Sequence, residues 1–348
     1  MDSRLDFRPM EAADSSALAE LVSSSPSAGP ASFAYDYRAG VAEIHRAFAE
    51  DLHGIVATAG SAVIGMVLAD VRQVQWEGQV CQAAYVSNMR VAHSYRRQGI
   101  AKEMLSFGSS YLETLLGAGP LVYTAIPAGN VTLTMAKAYQ CQITGAIQGG
   151  VVPMMRSARA RIPGITVRAA EQDDLVEVAD GMNAFYQAHN LWTPVTADLL
   201  DRFRNTHVAG IRPNELYVAT RNQRIAAGLS VSNRTELIRM KIENLPGYAR
   251  VLGSLLGILP RDGILRALTV RHVWFVDGEL ETARHLWQTL RHTLHDQGNC
   301  LGIAYDPRDK LADVFQIPFW LPMFPARYAV RGGAALAPDR PIYCLAGP

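Results

Sequence analysis

The run 85–102, YVSNMRVAHSYRRQGIAK, gathers the residues of this chain best suited to holding a multiply charged anion. An apolar, β-prone segment, 85–91, leads through a polar turn, 92–95, into Arg96, Arg97, Gln98, Gly99, Ile100 and Ala101, and then into a helical pattern over 102–116. A helix starting there leaves several backbone N–H groups without intrahelical acceptors, and these point at one spot. Gly99 has no Cβ and lets the backbone come close to a ligand. Ala101 keeps the helix start nearly as small. Arg96 and Arg97 have no acidic neighbour in sequence, and guanidinium groups suit phosphate oxygens in charge and fork geometry. The combination fits a diphosphate. A strand-to-helix turn with two solvated arginines is the alternative.

The surroundings decide between the two. The hexapeptide 96–101 resembles the acyl-CoA pyrophosphate loop, Gln/Arg-x-x-Gly-x-Gly/Ala, of the GNAT N-acetyltransferase superfamily. Met89-Arg90-Val91 matches the strand end before that loop, 121–126 the strand after its helix, and Asn130 and Tyr139, in NVTLTMAKAYQCQITGAI, the motifs that follow. The resemblance implies an α/β (α+β) fold with a mixed, mostly antiparallel sheet flanked by helices, and acetyl-CoA or another acyl-CoA as cosubstrate. It implies that backbone groups of Met89 and Val91 pair with the pantetheine arm, and that Arg96, Arg97, Gln98, Gly99, Ile100, Ala101 and Lys102 hold the diphosphate. Asn130 would hold the pantetheine, or else cap the next helix. Tyr139 would protonate the departing thiolate, since a phenol with a pKa of about 10 carries its proton at neutral pH. An ordinary half-buried helix tyrosine is its other reading.

The base that takes the amine's proton is not assigned. Many members of the superfamily carry a Glu on the central strand, but 85–91 has no carboxylate. Ser87 or Asn88 can hold a relay water, with Asp70, Glu77 or Glu43 acting through it. His45, His53 and His93 stand alone in sequence and read as structural or solvated.

The elements that position these residues occur twice. LDFRPMEAAD at 5–14 lines up with ITVRAAEQDD at 165–174, and a hairpin pattern around Ala59-Gly60-Ser61 with one around Arg221-Asn222-Gln223-Arg224. Two copies of one fold are expected, a domain at 1–156 carrying cosubstrate and chemistry and a degenerate one at 165–348, joined by a linker at 157–164. In the first copy the pattern predicts a strand at 5–9, helices at 14–24 and 41–51, a long loop at 25–38, a hairpin at 55–59 and 62–71, a central strand at 80–91 and a last strand at 150–156. Phe33, Tyr35 and Tyr37 in the loop either line an acceptor pocket or pin the loop to the core. In the second copy the central strand is 268–273 and the helix 282–295. Aligning Ala283 with Ala101 puts Glu281 at the Gly99 position and Glu279 at the Arg97 position, where carboxylates repel a diphosphate. An inserted pair of short helices is expected at 245–268. The segments 183–194 and 317–324 either pack on their own core, close over a pocket or form an interface.

The whole chain has 348 residues, 49% hydrophobic and 19% charged, with a net charge of +1, so neither disorder nor a nucleic-acid or membrane surface is indicated. Cys81, Cys141, Cys300 and Cys344 are scattered without metal or disulfide spacing. The N-terminal run is too polar for a secretory signal and no stretch is long enough to span a bilayer, so a cytoplasmic protein is expected. These readings converge on an N-acyltransferase moving an acyl group to a primary amine of a small molecule, with a homodimer left open. A CoA-sensing module and a malonyl-CoA decarboxylase of the same fold are the alternatives.

Overall fold

The computed structural model describes residues 5–26, 32–130, 132–158, 160–333, 336–337 and 339–344. The first half contains β1 (Leu5–Pro9), α1 (Ser15–Ser24), β2 (Ser32–Tyr37), α2 (Val41–Arg46), β3 (Asp51–Ala59), β4 (Ala62–Trp76) and β5 (Gln79–Val91). It continues with α3 (Ile100–Leu116), β6 (Leu121–Pro127), α4 (Thr132–Ala138) and β7 (Gln142–Pro153). The second half begins with β8 (Ile165–Ala169), α5 (Leu175–Tyr186), α6 (Ala197–Asn205), β9 (Asn214–Arg221), β10 (Arg224–Ser232) and β11 (Ile238–Asn244). Next are α7 (Gly247–Leu255), β12 (Ile264–Leu265), β13 (Ala267–Phe275), α8 (Leu280–Thr293), β14 (Cys300–Tyr305), α9 (Leu311–Phe315) and β15 (Met323–Arg331).

The repeat seen in sequence is reproduced down to its hydrogen bonds. At the end of β1, Asp14 accepts both guanidinium nitrogens of Arg8 and the amide of Glu11; at the end of β8, Asp174 does the same with Arg168 and the amide of Glu171. Each guanidinium holds its carboxylate below the usual range. The hairpins match too, with Ala59 opposite Ala62 and Arg221 opposite Arg224 at the turns.

Twelve strands form one sheet in the order β1-β3-β4-β5-β6-β15-β7-β14-β13-β10-β9-β8. The order reads the same from either end if β1 is matched with β8, β3 with β9, β4 with β10, β5 with β13 and β6 with β14. At the centre the last strands are exchanged. β15 lies between β6 and β7, both from the first half, and β7 lies between β15 and β14, both from the second. Backbone hydrogen bonds therefore tie the halves together along three ladders, β6 with β15, β15 with β7 and β7 with β14.

Several elements differ from the sequence reading. The loop expected at 25–38 contains β2, paired antiparallel with β11 of the second half, so Phe33, Tyr35 and Tyr37 are strand residues. Tertiary pairing overrides local loop composition here. The helix expected at 41–51 stops at Arg46, because Asp51 already pairs with Val71. The last strand is Gln142–Pro153, not 150–156, and it absorbs a left-handed Gly145 (φ 64°). Only one helix, α7, occupies 245–268; β12 and the start of β13 take the rest. Within 317–324, Leu321 is buried on its own core whereas Phe319 is 99% exposed.

No helix among the described residues is long and apolar enough to cross a membrane.

Candidate active site

The site starts from a strand that outruns its neighbour. β5 pairs with β6 in parallel only at Ala83–Tyr85 against Leu121–Tyr123, while β4 accompanies it as far as Val91. Past Tyr85 the sheet splays, and one edge of β5 faces an opening. Inside it, Asn88 takes a left-handed conformation (φ 51°), a bulge between Met66 and Leu68 of the partner strand. Asn tolerates that conformation better than most residues.

Two backbone carbonyls on β5 reach side chains: Met89 O accepts from Arg90 Nη1 at 3.4 Å and Val91 O from Arg96 Nε at 3.1 Å. These are the two residues expected to meet a pantetheine arm.

Past the short 3₁₀ turn His93–Tyr95, the chain reverses through Arg97 (φ 64°) and Gly99 (φ 83°), then enters α3. Gly99 O accepts from the amides of Lys102 and Glu103. The amides of Arg97, Gln98, Gly99, Ile100 and Ala101 have no acceptor among the described residues. A Cβ on Gly99 would meet nothing within 4 Å, so the space in front of these donors is open. Arg96, Arg97, Gln98 and Lys102 are exposed around it. Gln98 Nε2 donates to Ser94 O at 3.0 Å. Ile100 points the other way, buried with Met104 against Ile55, Ala57, Ile64 and Val67, and so anchors the loop. Five N–H groups without acceptors at a helix start, flanked by guanidiniums, are suited to an anion.

Asn130 and Tyr139 stand at the two ends of α4. Asn130 Oδ1 accepts from Thr132 N at 2.9 Å, so it caps α4. The hydroxyl of Tyr139 donates to Lys102 O at 2.9 Å, which ties the end of α4 to the first turn of α3.

The carboxylates considered as bases lie elsewhere or are already engaged. Asp70 is buried, paired with Arg72, and accepts from Glu50 N at 3.0 Å. Glu77 sits in the β4–β5 turn, at the opposite end of β5, where it accepts from Asn190 Nδ2 and Ala337 N. Glu43 is exposed on α2.

A group that sequence spacing does not reveal stands at the bulge instead. His45 Nε2, from α2, lies 3.4 Å from Asn88 Nδ2 and 3.2 Å from the Tyr37 hydroxyl. Burial lowers the His45 pKa to about 4, with Arg234 adding to the effect, so the ring is neutral. Its partners are 8 and 43 residues away, beyond any local motif.

The second half repeats this geometry and closes it. β13 and β14 pair only at Ala267–Thr269 against Cys300–Gly302, and His272 (φ 52°) stands where Asn88 stands. Val276 N donates to Ala226 O as Ala92 N does to Ile64 O. The opening is filled, however. Tyr186 donates to Val273 O at 2.5 Å, and Tyr343 stacks on His272 with ring planes 4° apart. The connection to α8 is shorter than its first-half counterpart, so Glu279, not Glu281, precedes the first helical residue as Gly99 does, with Glu281 in the first turn. The Glu279 carboxylate accepts from Thr282 Oγ1 and Arg221, both of which hold its pKa down; Arg221 also reaches Glu281. Negative charge of the chain's own stands at this helix start.

Residues 17–132, from α1 to the start of α4, match the model of the acetyltransferase (GNAT) family. Over that third of its length the chain is similar to a GNAT acetyltransferase domain. Its fold is shared with Saccharomyces cerevisiae N-myristoyltransferase bound to myristoyl-CoA, at a TM-score of 0.68 and 9% identity over 98% of this chain and 86% of that one. GCN5-related N-acetyltransferases from Kribbella flavida (TM-score 0.53, 14% identity, 94% of this chain and 71% of that one) and Anabaena variabilis (0.53, 12%, 94% and 72%) are also similar. No curated protein matches the chain in sequence. The GNAT match takes in the open loop and stops short of Tyr139.

Proposed function

We propose that the chain is an acyl-CoA-dependent N-acyltransferase that takes its donor in the opening between β5 and β6. The observation that carries the reading is the row of acceptor-free amides at residues 97–101, in open space beside exposed Arg97 and continuous with the splayed edge of β5. The diphosphate belongs at the head of α3, and the thioester beside Asn88 and Met89.

The reaction is direct attack of a neutral amine on the thioester carbonyl in a ternary complex. Backbone groups on the free edge of β5 polarise that carbonyl. Tyr139 protonates the leaving thiolate by swinging its hydroxyl from Lys102 O. His45 is not the final proton acceptor. From an α-amino group of pKa about 8, transfer to a ring of pKa about 4 is uphill by roughly 5 kcal/mol. His45 instead fixes Asn88 at the bulge, and the proton leaves through water.

In this reading 1–156 bears the chemistry and 165–348 supports it, its own opening filled by Tyr186 and Tyr343 and its helix start occupied by Glu279. A primary amine of a small molecule is the acceptor. The likeness to N-myristoyltransferase across nearly the whole chain favours a second reading, a long acyl chain delivered to a peptide amine.

Calorimetric titration of acetyl-CoA, octanoyl-CoA and myristoyl-CoA into wild type and Arg97→Glu, Gly99→Glu tests the site and ranks the donors. One site per chain, lost in the variant, is expected. No binding to wild type overturns the transferase reading, and two sites per chain overturn the closure of the second half.

A further inference from the structure

The turn between β10 and β11 carries Arg234 out of the second half and buries it against the first. The residue is 7% exposed, and its guanidinium carbon lies 3.4 Å from the ring centroid of Phe48, just past α2. Among the described residues, its Nε and Nη2 have no hydrogen-bond partner and no carboxylate pairs with it. Those two nitrogens share one edge of the guanidinium, the edge whose parallel N–H groups match the two oxygens of a carboxylate. A cation withdrawn from water without a counter-ion is costly. Burial accordingly drives the Arg234 pKa down, and neighbouring Arg271 adds to the effect.

The neighbourhood of Arg234 connects it to the reaction site. Tyr37 and His45, which respond to the Arg234 charge, form the hydrogen-bonded path to Asn88 at the β5 bulge. Arg90, two residues past that bulge, also has a buried Nε without a partner, and its charge acts on Tyr35 and Tyr37. Two guanidiniums, one from each half, thus lie near enough to the β2 tyrosines for their charges to act on them, close to the place where the thioester is expected.

We propose that Arg234 clamps a carboxylate of the acceptor, so that the amine acylated by this chain belongs to an amino acid or a similarly carboxylated small molecule. The inference rests on the acyltransferase reading and narrows its substrate class. It also gives the second half a direct part in the site, as the wall that recognises the acceptor.

The test pairs glycine, β-alanine and L-phenylalanine with their amides, adds phosphoethanolamine, and follows thiol release from acetyl-CoA in wild type, Arg234→Met and Arg234→Lys. Wild type is expected to prefer free acids to amides by about 30-fold or more in kcat/KM. Arg234→Met should erase that preference through KM, leave acetyl-CoA affinity unchanged, and melt higher by about 3 °C because an unpaired buried charge is gone. Arg234→Lys, which keeps charge but not the fork, should fall between. Equal turnover of acids and amides by wild type overturns the proposal, as does a lower melting point in Arg234→Met with the preference intact. Preference for phosphoethanolamine overturns the carboxylate assignment. Calorimetry of N-acetylglycine and N-acetyl-L-phenylalanine in the presence of CoA separates the two readings. Arg234-dependent binding without any transfer keeps the clamp while the transferase reading fails, and absence of such binding overturns the clamp whatever the transfer assay gives.

Discussion

His45 and His272 come from different halves, yet burial holds both neutral, with pKa values lowered to about 4 and about 3. Arg234 adds to the effect at His45, and Arg271 and Arg72 at His272. The unfolded chain takes up protons at these rings near the ordinary pKa of about 6.5, and the folded chain does so only at lower pH. Stability is therefore greatest above pH 6.5 and falls as pH drops towards the folded values, by a few kcal/mol at order-of-magnitude precision. Urea midpoints should fall between pH 7 and pH 5, and less steeply in His45→Gln and His272→Gln. An unchanged slope in both variants would mean that other groups set the acid limit. Tyr139 is tested by kinetics. Tyr139→Phe removes a bond to the first turn of α3 and, in the proposed mechanism, the thiolate's proton donor. We expect kcat to drop about 100-fold with little change in acyl-CoA affinity. Loss of affinity alone would assign Tyr139 to holding α4 against α3, no change in either would remove it from the mechanism, and CoA binding without turnover in wild type would favour a CoA-sensing module.

The head of α3 works as a unit because its two sides have opposite needs. Ile100, Met104 and Leu112 bury one face against the sheet, which fixes where the helix starts. Gly99, at φ 83°, turns the preceding amides outward. Gly99→Ala puts a methyl group into open space, so its folding cost is the left-handed backbone alone, about 1 kcal/mol. If the diphosphate binds at this loop as proposed, the same methyl group would crowd it, and acetyl-CoA affinity should fall by about 10-fold or more. Calorimetry alongside thermal melts distinguishes the two effects, and a melting-point loss with unchanged affinity would remove Gly99 from the binding site. The counterpart before α8 needs no external anion because the Glu279 carboxylate is already there, held by Thr282 and Arg221.

At the scale of the molecule, the exchange of β7 and β15 makes the halves interdependent. A fragment ending at 156 lacks β15, which leaves facing edges of β6 and β7 unpaired along a face that includes Tyr123 and Ile147. Such edges invite aggregation. Fragment 1–156 expressed alone should be insoluble or resist ordering by circular dichroism, co-expression with 157–348 should restore a folded complex, and the intact chain should unfold in a single transition. A soluble, cooperatively folded 1–156 would show that the exchange is dispensable.

The sequence alone determined the loop at 96–101, the strand and acidic helix start at 5–14 with its copy at 165–174, and the central strand with the helix behind it. These are local: a glycine with freedom at positive φ, a helix start, or a carboxylate three residues past the amide it caps specifies its geometry over a few residues. Tertiary structure decided the rest. Alternating Phe33, Tyr35 and Tyr37 are only a short strand signal, and what fixes the strand at 32–37 is its partner β11, some two hundred residues further on. Nor does spacing announce the exchange of β7 with β15, the removal of Asp70 and Glu77 from the site, or the gathering of His45, Asn88 and Arg234 at the junction of the halves. Pairings and buried charges of that kind depend on which surfaces meet, and chain order does not encode that in any short window.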